Sequence, residues 1–230
     1  MTPTIIFVHG LGLSGEVWTP QQEWCREQNI ESIALTLAGH GSRRNDNVSV
    51  QGMVDEIIGT ARRYEKVMLV GHSFGAFLCA LAVPQIQNIE AVILMNPLFD
   101  AAQLKGLFLI TVKVAHAMQR FLGVRKRPGE FATGTRWFWR WGIYPYCLAC
   151  NPMDNIEKLY NEIKKLGRVS LPSHVRCTLL LSHNDELLKP VSHEKSIFVP
   201  ISGHMLFRLA PERVNRFLAQ ALLRPRERHA

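Results

Sequence analysis

Near its first residue the sequence lacks a basic start followed by an apolar centre and a small-residue cleavage site; it runs straight into Thr4-Ile5-Ile6-Phe7-Val8-His9-Gly10. No secretory leader is expected, and the chain reads as cytoplasmic. Cysteine is scarce: Cys25, Cys79, Cys147, Cys150 and Cys177 are odd in number and scattered, which excludes a disulfide framework and suits free thiols in a reducing compartment. Cys147-x-x-Cys150 stands alone, without a second pair or a thioredoxin-like setting. No internal repeat, low-complexity tract or uninterrupted membrane-spanning apolar run occurs. His183, Asp185, His193 and His204 are metal-ligating types, but no ligand-spacing motif joins them, so neither metal nor cofactor is expected.

What is present is a globular composition. Of 230 residues, 47% are hydrophobic and 20% charged, enough for one domain with a full core and too apolar for disorder outside the polar end 224–230. The net charge of +8 is concentrated: residues 101–170 hold twelve Lys and Arg against four Asp and Glu, while the remainder has fifteen of each.

Short apolar runs alternate with helical spacing along most of the chain. Thr4–Val8, Ser32–Leu37, Lys66–Val70, Ala91–Met95, Val175–Leu181 and Ser196–Pro200 read as buried strands. Helices are predicted over 16–28, 50–63, from Phe74 to Pro84, and from Pro211 onward. This predicts an α/β fold: a mostly or wholly parallel sheet of about six strands with helices on both faces, and ligands beyond the strands' carboxyl ends, where His9, Ser73 and Asn96 converge.

The organising stretch is Lys66 to Val83, which passes from an apolar strand through Gly71-His72-Ser73-Phe74-Gly75 into a small-residue helix. That turn lifts the Ser73 hydroxyl to a helix N-terminus, where unpaired N–H groups and the helix dipole favour developing negative charge. Ser73 is therefore the candidate nucleophile. The N–H groups of Leu11, in the His9-Gly10-Leu11-Gly12 loop, and of Phe74 are the candidate oxyanion donors. His9 reads as a loop-orienting residue rather than a base.

A serine attacking a carbonyl needs a base in the correct tautomer and an acid to hold it there. Ser73, Asp185 and His204 occur in that order, each after a strand, and are the candidate triad. Asp100 is the second-choice acid. His72, His174, His183 and His193 compete with His204, which is favoured because it follows the last strand and a glycine.

Through His9-Gly10, Gly39-His40-Gly41, the Gly-His-Ser-Phe-Gly elbow, Asp185 after a strand and Gly203-His204 before a final helix, the sequence resembles the α/β-hydrolase superfamily over roughly two-thirds of its length. The resemblance implies hydrolysis of an ester-like bond through an acyl-enzyme on Ser73. It covers residues 1–99 and 172–230, the expected core, and leaves 100–171 as a helical lid. In the lid, 103–122 reads as a basic amphipathic helix, 136–141 is dense in arginine and aromatics, and Asp154 with Glu157 reads as a capping box opening a further helix. Aromatics there can surround an acyl chain, with basic residues facing phosphate, carboxylate or an acidic partner.

The expectation is a serine carboxylester hydrolase acting on a small-molecule acyl ester. A close variant resembles the pimeloyl-carrier methyl ester esterases; thioesterase action on carrier or coenzyme A substrates, with an acidic acyl carrier protein as partner, is equally open to this triad. Docking on an anionic membrane surface is a second reading of 103–127 and would make the protein peripheral. Nucleic acid is not an expected partner, since no reader motif accompanies the charge. A non-catalytic binding protein and a lyase or cofactor-free peroxidase are the remaining alternatives, because fold does not fix function.

Overall fold

A computed structural model describes residues 2–105, 110, 113, 114, 117, 151–172, 175–183, 185–191 and 196–223. Predictions for 106–150 other than at those four positions, including Cys147-x-x-Cys150 and the arginine-aromatic segment, and for His174 and His193, lie outside the described residues.

Six strands form one all-parallel sheet: β1 (Thr4–Val8), β2 (Ser32–Leu35), β3 (Val67–His72), β4 (Ile89–Met95), β5 (Cys177–His183) and β6 (Ser196–Ser202), in the order β2-β1-β3-β4-β5-β6. Parallel neighbours need crossovers, and the intervening segments fold as α1 (Thr19–Glu27), α2 (Val50–Ala61) and α3 (Phe74–Ala82). Strand order reverses at β1, with β2 on one side and β3 on the other. The crevice at the carboxyl ends of β1 and β3 is therefore where a ligand is expected in such a sheet. The alternation of buried strands and helices thus predicted the architecture.

Every residue of β1 and β3 is buried, as a central parallel strand requires. Phe7 stacks on Trp18, and Trp18 on Phe207 at 4.1 Å. The Ser49 hydroxyl accepts from the Gly52 N–H at 3.0 Å to cap α2, whose Val50, Met53, Val54, Ile57, Ile58 and Ala61 face the core.

Several boundaries differ from expectation for local reasons. β2 stops at Leu35 because the next groups are engaged elsewhere: Thr36 Oγ1 accepts from Gly15 N–H, the Thr36 carbonyl accepts from Arg43, and Leu37 N–H donates to His9 Nε2 at 3.0 Å. β6 continues past Pro200 to Ser202. It is an edge strand, and its register shifts between Ser182 and His183 of β5, so the proline falls in an irregularity and costs no central ladder bond. The 103–122 helix does not begin at Gln103: residues 101–103 form a 3-10 turn, Leu104 bridges Leu188 antiparallel, and Lys105 N–H donates to the Leu187 carbonyl at 2.8 Å.

Beyond β4 lies α4 (Met153–Leu166), followed after β6 by the short α5 (Leu206–Leu209) and by α6 (Pro211–Leu223). The capping box expected at Asp154 is absent; Pro152 precedes the helix and Asp154 sits in its first turn. A box forms instead at Asp100, which accepts from Ala102 N–H at 2.9 Å while Gln103 Oε1 accepts from Asp100 N–H at 3.0 Å. On α4, Ile156, Leu159 and Ile163 are buried whereas Leu166 is exposed. Burial of each such side chain is worth roughly 1.5–3 kcal/mol, so the apolar face outweighs the exposed Lys113–Glu157 pair at 2.9 Å, worth about 0–1 kcal/mol. Glu162 adds a bond to α2, accepting from Val50 N–H at 2.7 Å.

Candidate active site

Ser73 follows β3 with φ +52° and ψ −116°, a region that costs a non-glycine residue of the order of 1–3 kcal/mol. Neighbouring backbone holds it there. Its N–H donates to Met95 O at 3.0 Å, and its carbonyl accepts from Ala76 at 3.0 Å and Leu98 at 3.2 Å. The flanking glycines are required by contact: a Cβ on Gly75 would lie 2.3 Å from Val8 O, and one on Gly71 would lie 2.8 Å from Ala76 Cα. The first turn of α3 can therefore sit against the end of β1, with Phe74 N–H opening the helix beside Ser73.

Two further strand ends bring in the acid and the base. Asp185 follows β5 and is nearly enclosed; its Oδ1 accepts from the N–H groups of Leu187 at 2.8 Å and Leu188 at 2.9 Å. Its Oδ2 lies 2.7 Å from His204 Nδ1. Burial opposes the charge on Asp185, but the adjoining His204 and the hydrogen bonds from His204, Leu188 and Leu187 outweigh it and hold the carboxyl below its ordinary value. His204 is fully buried. With Nδ1–H donated to the carboxylate, the lone pair of the neutral ring lies on Nε2. Lys105 Nζ donates to the Asp185 carbonyl, which adds the start of the insert to the acid loop.

Leu11, Ser73, Phe74 and His204 line one pocket, whose remaining wall is Leu98, Leu104, Tyr160, Ile163, Leu187 and Leu188. Asp185 lies behind His204 and borders a separate cavity of about 330 Å³. Asp100, the second-choice acid, is occupied as a helix cap. His183 is exposed and stacks on Phe198 at 5.4 Å. Among the described residues no cluster of three or more His, Cys, Asp or Glu side chains is disposed to hold a metal ion.

The other buried histidines hydrogen-bond to the backbone. His9 Nδ1–H donates to Gly10 O at 2.8 Å while Nε2 accepts from Leu37, so the ring ties its loop to the end of β2. His40 bonds Ala38 O at 2.9 Å. Burial, with the nearby His40, lowers His9 to about 3, and burial lowers His40 to about 4; burial also drives His72 well below 6.5. These folded-state values lie below the unfolded value, so the unfolded chain binds more protons as pH falls. The stability these groups contribute is present above about pH 6.5 and is lost toward pH 4 and below, each histidine adding up to about 1.4 kcal/mol per pH unit. Urea melts from pH 7 to pH 4 should show midpoints falling steadily; a flat or rising midpoint would contradict neutral burial of these rings.

Sequence reasoning placed Asn96 near the site without a role and missed Ser182 and Glu186. The Asn96 amide reaches Ser182 and the His204 carbonyl, and Glu186 Oε2 accepts from His204 N–H at 2.8 Å. An Asn-Pro step after a strand was the one legible signal, and it reads simply as a strand end.

A six-stranded parallel sheet with a serine elbow after β3 and a carboxylate-bonded histidine before the last helices defines an α/β-hydrolase scaffold. The chain belongs to the alpha/beta hydrolase family, whose profile matches residues 5–217. By sequence it is similar to Protein ABHD8 of Homo sapiens, 27% identical over 99 residues, a match covering 40% of this chain and 23% of that protein's length. By structure it is similar to N-acyl homoserine lactonase AidH complexed with N-butanoyl homoserine, with TM-score 0.72 and 13% identity over 96% of this chain and 88% of that one. It is also similar to polyneuridine aldehyde esterase, with TM-score 0.64 and 14% identity over 96% and 99%. Among the described residues no helix is long and apolar enough to cross a membrane.

Proposed function

We propose that the protein is a serine carboxylester hydrolase using Ser73, His204 and Asp185. The observation that carries this reading is the 2.7 Å contact between Asp185 and His204, whose ring borders the same pocket as the strained Ser73. Ser73 Oγ attacks the acyl carbonyl as His204 Nε2 takes its proton, and Asp185 stabilises the imidazolium through Nδ1–H. The N–H groups of Leu11 and Phe74 receive the oxyanion. Collapse of the adduct expels the alcohol, which leaves with the proton from His204; water, activated by the same base, then releases the acid from Ser73.

The wall of Leu98, Leu104, Leu187, Leu188 and Ile163 suits an apolar acyl group. The structural relatives include an N-acyl homoserine lactonase and an esterase, so a lactone belongs in the substrate panel beside open-chain esters. The charge concentrated in 101–170 favours a second reading, in which the insert, acting as a lid, holds an acidic carrier or a phosphate-bearing thioester or methyl ester. Pimeloyl-carrier methyl esters fall in that class.

The test is a panel of p-nitrophenyl esters from acetyl to dodecanoyl, an N-acyl lactone, and acyl-coenzyme A thioesters, each at low and high salt. Turnover of the esters with a pre-steady-state burst is the predicted result. KM rising with salt only for the acyl-coenzyme A thioesters would identify the second reading. No hydrolysis of any member would overturn both in favour of a binding protein.

A further inference from the structure

We propose that Asn96 is a positioning residue that sets the separation of the acid and base arms, an inference that rests on the serine-hydrolase reading. His204 belongs to no strand or helix, and the last backbone tie before it is Gly203 N–H to the His183 carbonyl at 3.2 Å. Side chains hold the residue itself. The His204 carbonyl accepts from Asn96 Nδ2 at 2.7 Å and faces His72 Nε2 at 3.0 Å, and its N–H donates to Glu186 Oε2 at 2.8 Å.

Of these partners Glu186 adjoins Asp185 in the chain, and Asn96 grips β5, the strand that leads to the acid. Nδ2 lies 3.0 Å from Ser182 Oγ and 3.3 Å from the Gly203 carbonyl, and Oδ1 accepts from Ser182 N–H at 2.8 Å. Two amide hydrogens face three oxygens: one goes to the His204 carbonyl, the shortest contact, and the other is shared. Ser182 stands three residues before Asp185 on the same chain segment. A single buried amide therefore spans from the acid's strand to the base's backbone, and the 2.7 Å bond between Asp185 and His204 depends on that span.

Backbone conformation supports the same assignment. Asn96 has φ +40° and is followed by Pro97. Proline disfavours compact conformations at the preceding residue, and among non-glycine residues asparagine is one of the few that tolerates positive φ. The conformation points the amide into the gap between β5 and the 203–204 loop, where the residue is 4% exposed.

Asn96→Ala removes the whole span. Asn96→Asp keeps its shape and the acceptor for Ser182 N–H, but offers a carboxylate in place of the donor to the His204 carbonyl. Both variants should be assayed well below their melting temperatures against the best p-nitrophenyl ester, together with the rate of fluorophosphonate labelling and the downfield proton resonance of the Asp185–His204 bond. The expected result is a kcat lowered roughly 10- to 100-fold for both Asn96 variants, KM within about threefold, slower labelling, and a shifted or lost resonance. A purely structural amide would lower the melting temperature and leave kcat, labelling and the resonance as in the wild type, which overturns the positioning role. Should Asn96→Ala fail to fold, Asn96→Asp carries the same comparison. A wild type that is not labelled at Ser73 overturns the hydrolase reading and this inference with it; a labelled wild type with equally fast variants overturns this inference alone.

Discussion

Ser73→Ala should leave a folded protein whose acyl-ester turnover is lowered by roughly 10⁴- to 10⁶-fold. Loss of the hydroxyl removes the only atom proposed to bond the acyl carbon, and the oxyanion donors and apolar wall remain to give weak residual catalysis. Folding should survive because the strained corner is held by backbone groups, with Ser73 N–H on Met95 and its carbonyl shared by Ala76 and Leu98. Alanine tolerates φ +52° no better than serine does, so the melting temperature should move little. Circular dichroism and steady-state assay on the same preparation check this; turnover within tenfold of wild type would exclude Ser73 as nucleophile.

Asp185→Asn should cost about 10⁴-fold in kcat near neutral pH, and the hydrogen bonds around Asp185 give the reason. Oδ1 is fixed by the N–H groups of Leu187 and Leu188, so an asparagine places its oxygen there and its amide nitrogen against His204 Nδ1. That nitrogen donates. The imidazole must then accept at Nδ1 and carry its proton on Nε2, which is the wrong tautomer for removing a proton from Ser73. A side-chain rotation that put the oxygen toward His204 would leave two N–H groups facing an NH₂, at about 1–3 kcal/mol for each unsatisfied group. Rates measured across pH check this, and an Asp185→Asn variant retaining a tenth or more of wild-type kcat would contradict the tautomer argument.

The sheet was legible because its central strands are buried on both faces and read as continuous apolar runs, as in Thr4–Val8 and Val67–Val70. Strand ends were less so. Leu37 looks like a strand residue, yet its N–H is taken by His9, a partner 28 positions earlier that no local pattern encodes. Pro200 looks like a stop, and is not one because the edge position and the register shift beside His183 absorb it. The capping box at Asp154 failed for a related reason: two residues of the right type at the right spacing do not say where the helix starts, and here it starts at Met153, before the expected cap. Asp100 and Gln103 carried the same signature and did form the box.

The site divided in the same way. Ser73 was readable because glycine is forced on both sides by contacts below van der Waals distance, and such constraints leave a motif in the chain. The pairing of Asp185 with His204 was legible from their order after strands. The roles of Asn96 and Glu186 were not, since one hydrogen-bonds across 108 positions and the other across 18, and neither amide nor carboxylate has a local pattern to mark it. The wall contributed by α4 through Tyr160 and Ile163 was expected as part of a lid. Glu162 and the buried apolar face of α4 bind that helix to the rest of the fold.

In the mechanism proposed, one hydroxyl is made nucleophilic by the imidazole and carboxylate beside it. Peptide mapping by mass spectrometry after treatment with a fluorophosphonate tests this most directly. The predicted result is a single adduct on the peptide holding Ser73, slowed by excess ester substrate present during labelling and slowed at least about a hundredfold in His204→Ala. An unmodified protein, or an adduct carried by any other residue, would contradict it.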